Sequence, residues 1–214
     1  SAFGGIVSCN FKLTKILALE LNKIFIEVIV ANGFEKDALK ILKKKKNLRI
    51  IDSTNFIVDE VLRLNSIDHS MLIQSEDKKI FSKKNFSIVS KKKPNKLQYD
   101  NLIFAFNICR YVKSNAIVLA SNKSTVGIGS GQPSRLDSCQ IAINKMKKFN
   151  KTNNEIVAAS DAFFPFVDGI EKLIQSGVTA VIQPAGSIRD KEIIKFANDA
   201  GVVLIFSKTR HFRH

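Results

Sequence analysis

The chain has 214 residues, a formal net charge of +15 at pH 7 and 45% hydrophobic residues. This length suits one large domain or two small ones, and the hydrophobic fraction is sufficient for a sizeable core. No run of 18 apolar residues occurs and no basic leader precedes an apolar stretch, so we expect neither a membrane span nor a signal peptide. The start at Ser1, without an initiator Met, is compatible with a fragment or a processed chain.

The first hundred residues alternate loosely between helical and strand patterns. The predicted elements are helices near 12–22 and at 35–46, and strands at 24–30, at 48–52, near 56–64 and near 70–75. The segment SKKKPNK (90–96) has few apolar residues and contains a proline, which is typical of a boundary. We therefore predict two α/β units, residues 1–95 and residues 96–214.

The remainder of the chain shows clearer alternation. The predicted elements are helices at 97–114 and from Pro133 or Ser134 to Phe149, and strands at 116–121, 125–132, 155–162, 178–183 and 202–207. Pro165 can open one further helix that stops at Gly177. Ser187 and Asp190 have the spacing of a capping box at the start of another helix. This strand–helix alternation predicts right-handed crossovers and a largely parallel sheet with helices on its faces.

The cysteines and histidines exclude several kinds of site. Cys9, Cys109 and Cys139 form no C-x-x-C pair, so a reducing compartment, the cytoplasm, is favoured over a disulfide framework. The three histidines have no cysteine partners nearby, and no metal-ligand spacing recurs, so no metal site is predicted. Neither a zinc-deaminase signature nor a G-x-S-x-G elbow is present.

The basic excess consists mainly of lysine, because only seven of the 34 basic residues are Arg. Clustered cations favour nucleic acid by releasing phosphate counterions, but a Lys-, Asn- and Ile-rich composition gives the same charge. The lysine runs at 43–46 and 91–93 have no interleaved aromatics to stack on bases. We expect no nucleic-acid partner. Anionic small molecules would suit the charge equally, and a non-catalytic basic nucleotide- or nucleic-acid-binding module is the alternative function.

The stretch VGIGSGQPSR (126–135) places three glycines on alternate positions before Arg135. Bare backbone could approach an anion there, and Arg135 would begin a helix whose dipole favours negative charge. A glycine hairpin or bulge with a surface Arg is an equal alternative. The spacing matches neither a Walker loop nor a dinucleotide fingerprint.

Three connections follow strands whose carboxyl ends point the same way: SDAFFPFVDG (160–169), QPAGSIRD (183–190) and SKTRHFRH (207–214). Ligands bind at such edges of parallel sheets, so we expect one shared rim. Aromatics could stack there on a flat heterocycle, Arg could hold a phosphate or carboxylate, and a carboxylate could accept from ring N–H groups. The candidates are Phe163, Phe164, Phe166, Asp161, Asp168, Ser187, Arg189 and residues 210–214.

Several stretches resemble a known family in the order in which they occur: VKSNAIVLA, GIGSGQPSR, SDAFFPFVDGI, AVIQPAGSIRD and the terminal TRHFRH. They are similar to the transformylase region of the bifunctional purine biosynthesis proteins, in which AICAR transformylase is joined to IMP cyclohydrolase. The opening SAFGGIV resembles a further family motif, so the resemblance covers the whole chain. It implies a duplicated, cytidine-deaminase-like α/β/α fold with three layers and largely parallel mixed sheets.

The resemblance also implies a reaction and its site. The family transfers formyl from 10-formyltetrahydrofolate, the co-substrate, to the 5-amino group of AICAR (5-aminoimidazole-4-carboxamide ribonucleotide), giving FAICAR for IMP synthesis, at a site built across a dimer. The positions that match AICAR contacts are Gly4, Glu27, Asn115, Arg135, Phe163, Arg210 and Phe212. The positions that match folate contacts are Leu136, Asp168, Ser187 and Ile188. Phe163 would stack near the AICAR base, while Asp168 would face the pterin.

The sequence departs from the family pattern in ways that bear on activity. The catalytic Lys-His pair of the family lies in a motif upstream of SAFGG, and neither that motif nor the cyclohydrolase domain occurs here. Val167 stands where the family often has Arg. We therefore expect little or no formyl transfer by this chain alone, with a homodimer or the missing N-terminal part as its partner. His211 or His214 is a poor substitute base, because a terminal His is hard to hold in place. If the missing part normally covers residues 1–95, those residues should expose apolar surface and be the less stable unit.

Overall fold

The computed structural model describes residues 3–56, 62–149 and 155–214. The chain divides into two compact units, Ser1–Glu76 and Asp77–His214. The division therefore falls earlier in the chain than the boundary that the sequence predicts after residue 95. The reason is that the short strand Phe86–Ile88 pairs with the last strand of the second unit. The assignment of the units to two halves of a transformylase stays a prediction.

The first unit contains a parallel three-stranded sheet and a separate hairpin. Its elements are β1 (Gly5–Cys9), α1 (Lys15–Asn22), β2 (Ile26–Ala31), α2 (Lys36–Leu42), β3 (Arg49–Asp52), β4 (Leu62–Ile67) and β5 (Ser70–Ser75). The sheet order is β1-β2-β3, and β4 pairs antiparallel with β5. The sequence predicts all of these elements except β1. The strand predicted near 56–64 falls partly on residues 57–61, which lie outside the described residues.

The first unit exposes much apolar surface. Although it is the smaller unit, it carries most of the exposed large hydrophobic side chains of the described residues, among them Phe3, Ile6 and Ile16, which are 84%, 73% and 77% exposed. The apolar surface expected in this part of the chain is therefore present. Its lower stability stays a prediction.

The second unit is built on one six-stranded mixed sheet. Its elements are β6 (Phe86–Ile88), α3 (Lys96–Cys109), β7 (Ile117–Ser121), β8 (Ser124–Gly129), α4 (Arg135–Phe149), β9 (Ile156–Ser160), α5 (Val167–Gln175), β10 (Val178–Pro184), α6 (Asp190–Asp199) and β11 (Val203–Ser207). The strand order is β6-β11-β10-β9-β7-β8. Strands β9, β10 and β11 run parallel, which confirms the parallel alternation predicted for the last third, whereas β6, β7 and β8 pair antiparallel.

Helices cover both faces of this sheet and make three layers. One apolar core joins the sheet to α4, α5 and α6 through Ile143, Leu173 and Ile193. The other joins the opposite face to α3 through Leu102 and Phe106. The predicted three-layer α/β/α class is therefore confirmed. Within the described ranges, no helix is long and apolar enough to cross a membrane.

Helices α3 and α5 of the second unit are shorter than predicted, and both differences leave non-helical backbone near the edge of the sheet. In the first unit, α2 also ends early, at Leu42 rather than at the predicted residue 46. Helix α3 ends at Cys109, well before the predicted residue 114. Helix α5 begins at Val167, because Phe166 has extended backbone angles and is its N-cap, so Pro165 lies outside the helix. Residues 110–116 and 161–166 are consequently connections rather than helix.

The alternate glycines of β8 are packing positions. A Cβ on Gly127 would overlap the backbone oxygen of Ala142, and one on Gly129 would overlap that of Ser138. Both oxygens belong to α4, so the two glycines let this helix lie directly on the strand. The hairpin interpretation of VGIGSGQPSR is thus confirmed for Gly127 and Gly129, and the anion-binding interpretation is wrong for them, because their bare backbone meets a helix.

We predict that Gly129→Ala lowers the free energy of unfolding of the second unit by about 1–3 kcal/mol, because the new methyl group must push α4 off β8. The two tyrosines of the chain, Tyr99 and Tyr111, both lie in this unit, so urea unfolding followed by tyrosine fluorescence reports on it. Thr125→Ala, on an exposed position of the same strand, is the control and should leave the midpoint unchanged. Equal midpoints for both variants would contradict this packing role.

Candidate functional site

The strand register gathers several connections at one edge of the six-stranded sheet. Ile117, at the start of β7, pairs with Ser160 at the end of β9 and with Gly129 at the end of β8. The ends of β10 and β11 are also paired, through Pro184 and Ser207. Five connections therefore leave the same edge: the one before β7 and those after β8, β9, β10 and β11. The sequence predicts this for the connections after β9, β10 and β11.

A cavity of about 490 Å³ lies among four of these connections. Its lining combines three phenylalanines of the segment after β9 with charged side chains from other segments. The lining residues are Asn115, Pro133, Ser134, Arg135, Leu136, Ala162, Phe163, Phe164, Pro165, Phe166, Asp168, Gly169, Arg210 and Phe212. Five residues that the resemblance assigns to AICAR and two that it assigns to folate thus surround one space. What they bind stays a prediction.

A buried ion pair forms the floor of the site. Nη2 of Arg135 lies 3.1 Å from Oδ1 of Asp161, and the two side chains are only 9% and 0% exposed. The sequence makes Asp161 a candidate carboxylate for ligand N–H groups. That role is wrong, because Asp161 is fully buried and serves Arg135 instead. Burial raises the pKa of Asp161, while Arg135 and the Ser114 hydroxyl, which donates to it at 2.6 Å, oppose that rise.

Asn115 fixes the second side of the Arg135 guanidinium. Its Oδ1 accepts from Nη1 of Arg135 at 2.8 Å, and its Nδ2 donates to the carbonyl oxygens of Gln132 and Pro133 at 2.9 and 3.0 Å. Nε of Arg135 is buried and has no hydrogen-bond partner among the described residues. Asp161 and Asn115 therefore hold the guanidinium in place at the cavity that Arg135 lines.

The three phenylalanines after β9 have different environments. Phe164 is 1% exposed and belongs to the core, where Gly169 leaves room for its ring. Phe163 is half-buried in the cavity wall, whereas Phe166 is 50% exposed and carries the guanidinium of Arg189 over its ring at 4.8 Å. Phe163 therefore presents a fixed aromatic surface to the cavity, as stacking on a flat ligand requires.

Arg210 and Phe212 of the terminal segment line the cavity, whereas His211 between them does not. The Arg210 guanidinium lies 5.3 Å from the centre of the Phe212 ring. His211 is 1% exposed and does not line the cavity, so the geometry gives it no access to a substrate there. His214 is exposed and stacks on Phe212 with ring centres 5.7 Å apart.

Four of the residues to which the resemblance assigns a ligand contact are not among those that line this cavity. Ser187 is half-buried and Ile188 fully exposed in the turn before α6, where Asp190 accepts from the backbone N–H of Ser187 at 3.2 Å. Gly4 and Glu27 belong to the first unit and lie together there, since a Cβ on Gly4 would sit 2.5 Å from Oε1 of Glu27. The roles that the resemblance implies for all four stay predictions.

The thiols near the site have no nucleophilic character. All three cysteines are buried and free. Burial raises the pKa of Cys139 to about 12 and that of Cys109 well above its ordinary value, so both are protonated at neutral pH. No group of three or more His, Cys, Asp or Glu side chains suited to a metal ion occurs in the part of the chain that the structure describes.

The fold and the site together define an α/β protein with a cavity of small-ligand size at a strand edge, lined by aromatic, cationic and carboxylate side chains. The family model for the AICARFT/IMPCHase bienzyme matches residues 1–145. The chain therefore belongs to the AICARFT/IMPCHase bienzyme family, which confirms the resemblance seen in its sequence.

Relatives match the chain along its whole length. It is 41% identical to the bifunctional purine biosynthesis protein PurH of Chlorobium phaeobacteroides, and 43% identical to those of Aquifex aeolicus and Leptospira biflexa. All of this chain is covered in each comparison, but only 41–42% of each relative. The chain thus spans about two fifths of the length of these curated relatives.

We predict that Asp161→Asn lowers the free energy of unfolding by about 3–5 kcal/mol, because it leaves the buried Arg135 charge uncompensated. Urea unfolding followed by tyrosine fluorescence measures the change. Glu192→Gln, which removes the exposed ion pair with Arg189, is the control, and its midpoint should match that of the unsubstituted chain. A wild-type midpoint for Asp161→Asn would show that the pair does not hold the site together.

Proposed function

We propose that this chain is a portion of an AICAR transformylase, which supplies contacts to AICAR and 10-formyltetrahydrofolate for formyl transfer in purine (IMP) biosynthesis. The observation that carries the proposal is the single cavity shared by Asn115, Arg135, Phe163, Asp168 and Arg210. Family membership and the purine-biosynthesis names of the relatives support the same conclusion.

The cavity suits the chemistry of AICAR. Phe163 offers a face on which the flat imidazole can stack. Arg135, fixed by Asp161 and Asn115, has N–H donors for the carboxamide oxygen. Arg210 adds a second cation beside Phe212 in the lining of the cavity. The net positive charge of the chain favours approach of a nucleotide phosphate from solution.

Asp168 supplies the group that would meet the folate. Its Oδ1 accepts from the backbone N–H of Gly169 at 2.7 Å, which fixes the carboxylate at the start of α5. An ionised carboxylate has further acceptor sites, so it can take N–H groups of a pterin ring. Leu136 lines the same cavity and adds apolar surface for that ring. Ser187 and Ile188 would extend the folate contacts from the turn before α6.

The chemical step needs a base that these residues do not supply. The amine of AICAR is a poor nucleophile because its lone pair is delocalised into the ring and the carboxamide. Transfer therefore requires close positioning of amine and formyl carbon, removal of a proton and stabilisation of an oxyanion. Among the described residues that line the cavity, none is His, Lys or Cys. A Lys-His pair from another polypeptide, or from a longer chain paired in a dimer, would complete the site.

We predict that AICAR binding raises the thermal unfolding midpoint of this chain by mass action, and that 10-formyltetrahydrofolate adds to the shift. Phe163→Ala should weaken AICAR binding about ten- to a hundredfold, since stacking is worth about 1–3 kcal/mol. Lys208→Ala, an exposed cation of the terminal segment, is the matched control and should bind like the unsubstituted chain.

The same titration at two salt concentrations, with a DNA duplex as a third ligand, separates this proposal from nucleic-acid binding. Duplex binding should weaken steeply with salt in proportion to the phosphates contacted. An absent shift with AICAR and folate, together with salt-sensitive duplex binding, would overturn the proposal. Formyl transfer by the isolated chain at the rate of a complete enzyme would instead show that this chain does not need a base from elsewhere.

A further inference from the structure

The terminal segment 208–214 has no regular secondary structure, yet its central side chain is one of the most buried polar groups of the second unit. His211 is 1% exposed, whereas Arg210 and Phe212 on either side of it are exposed and line the cavity. The segment therefore presents one side chain to the core and its two neighbours to the proposed ligand. The proposed chemistry makes no use of His211, so its burial calls for another explanation.

Two polar contacts and two ring contacts fix His211. Its Nδ1 lies 2.5 Å from Oδ2 of Asp77, and its backbone N–H donates to the carbonyl oxygen of Asp161 at 2.9 Å. The ring packs against Phe81 edge to face, with centres 4.9 Å apart, and against Phe106 at 4.5 Å. The His211 backbone thus reaches the residue that holds Arg135, and its side chain reaches the start of the second unit.

Other bonds tie residues near the two ends of the segment. Lys79 donates to Oγ1 of Thr209 at 2.9 Å, and the backbone N–H of Ser114 donates to the carbonyl oxygen of Arg213 at 3.0 Å. These bonds hold the two ends of the segment. The direction in which Arg210 and Phe212 point depends on which side of the backbone the residue between them occupies.

We propose that Asp77 and His211 form a latch that directs Arg210 and Phe212 into the cavity, which makes His211 a positioning residue for the ligand. The proposal rests on the function proposed above, because it concerns the occupant of the same cavity. Without the bond to Asp77, the imidazole has no described polar partner to offset its burial, since Nε2 has none either. The segment could then turn over and withdraw both side chains.

Burial favours the neutral form of the His211 ring. Burial lowers the pKa of His211, an effect that nearby Arg110 reinforces and that Asp77 and, more weakly, Asp161 oppose. Protonation would add a buried N–H at Nε2 without an acceptor among the described residues. Because the folded-state pKa lies below the ordinary value of 6.5, the unfolded chain binds more protons. The contribution of His211 to stability is therefore present above pH 6.5 and is lost as the pH falls.

Two substitutions separate the latch from simple packing. His211→Asn keeps an N–H donor near the place of Nδ1 but loses the ring. His211→Phe keeps the ring against Phe81 and Phe106 but leaves Asp77 without its donor. If the bond to Asp77 positions the segment, His211→Phe should weaken AICAR binding about ten- to a hundredfold, as misplaced contact groups do, and His211→Asn should recover most of that loss. If packing of the ring alone positions the segment, His211→Asn should weaken AICAR binding more than His211→Phe.

The experiment is calorimetric titration of AICAR into each purified variant at pH 7.5 and at pH 5.5, with Lys208→Ala as the control. The phosphate of AICAR also titrates in this range. Low pH supports the latch only if the unsubstituted chain loses more affinity for AICAR between pH 7.5 and pH 5.5 than His211→Asn does. ¹⁵N NMR of the unsubstituted chain should also show a neutral His211 protonated at Nδ1 at pH 7.5.

The outcomes distinguish this proposal from the function it rests on. If the unsubstituted chain does not bind AICAR, the proposed function fails, and an NMR signal from an Nε2-protonated or charged ring at pH 7.5 would independently overturn the latch. If it binds AICAR and His211→Phe binds equally well, the latch is wrong while the function stands. Should His211→Phe fail to fold, Asp77→Leu, which removes the acceptor from a position that is 30% exposed, tests the same bond.

Discussion

The site depends on one buried ion pair, Arg135 with Asp161. Neither charge would be stable at this depth without the other, because desolvation of each costs several kcal/mol. Asp161 also accepts from the Ser114 hydroxyl and, through its backbone carbonyl, from the N–H of His211. A single residue at the end of β9 thus joins the connection before β7, the start of α4 and the terminal segment. The cavity exists because these three are held together.

This arrangement explains why the aromatic run after β9 can serve as a binding wall. Asp161 is anchored below the run, and Phe164 enters the core beside Gly169. Phe163 lies between these two residues and is half-buried in the cavity wall. A wall that is already formed when a flat ligand stacks on it needs little further ordering.

Much of the second unit could be predicted from its sequence, because buried strands such as 203–207 and helices such as α4 have strong apolar patterns. Strand β6 could not be predicted, because its three residues acquire strand structure only by pairing with β11, far along the chain. The boundary expected after residue 95 lies later in the chain than the division of the structure for the same reason. The rim residues could be placed because parallel strands bring their carboxyl ends to one edge. The partnership of Asp161 with Arg135 could not, because their separation in sequence carries no signal of contact.

The alternate glycines show the limit of local motifs. The same letters are compatible with an anion cradle and with a close helix–strand contact, and only the position of α4 distinguishes them. A crystal structure of this chain with AICAR bound is the sharpest test of this site. We expect the imidazole to lie against Phe163, with Arg135 still paired to Asp161 and donating to the ligand. AICAR bound outside this cavity, or Arg135 turned away from Asp161 to reach it, would show that the site does not work in this way.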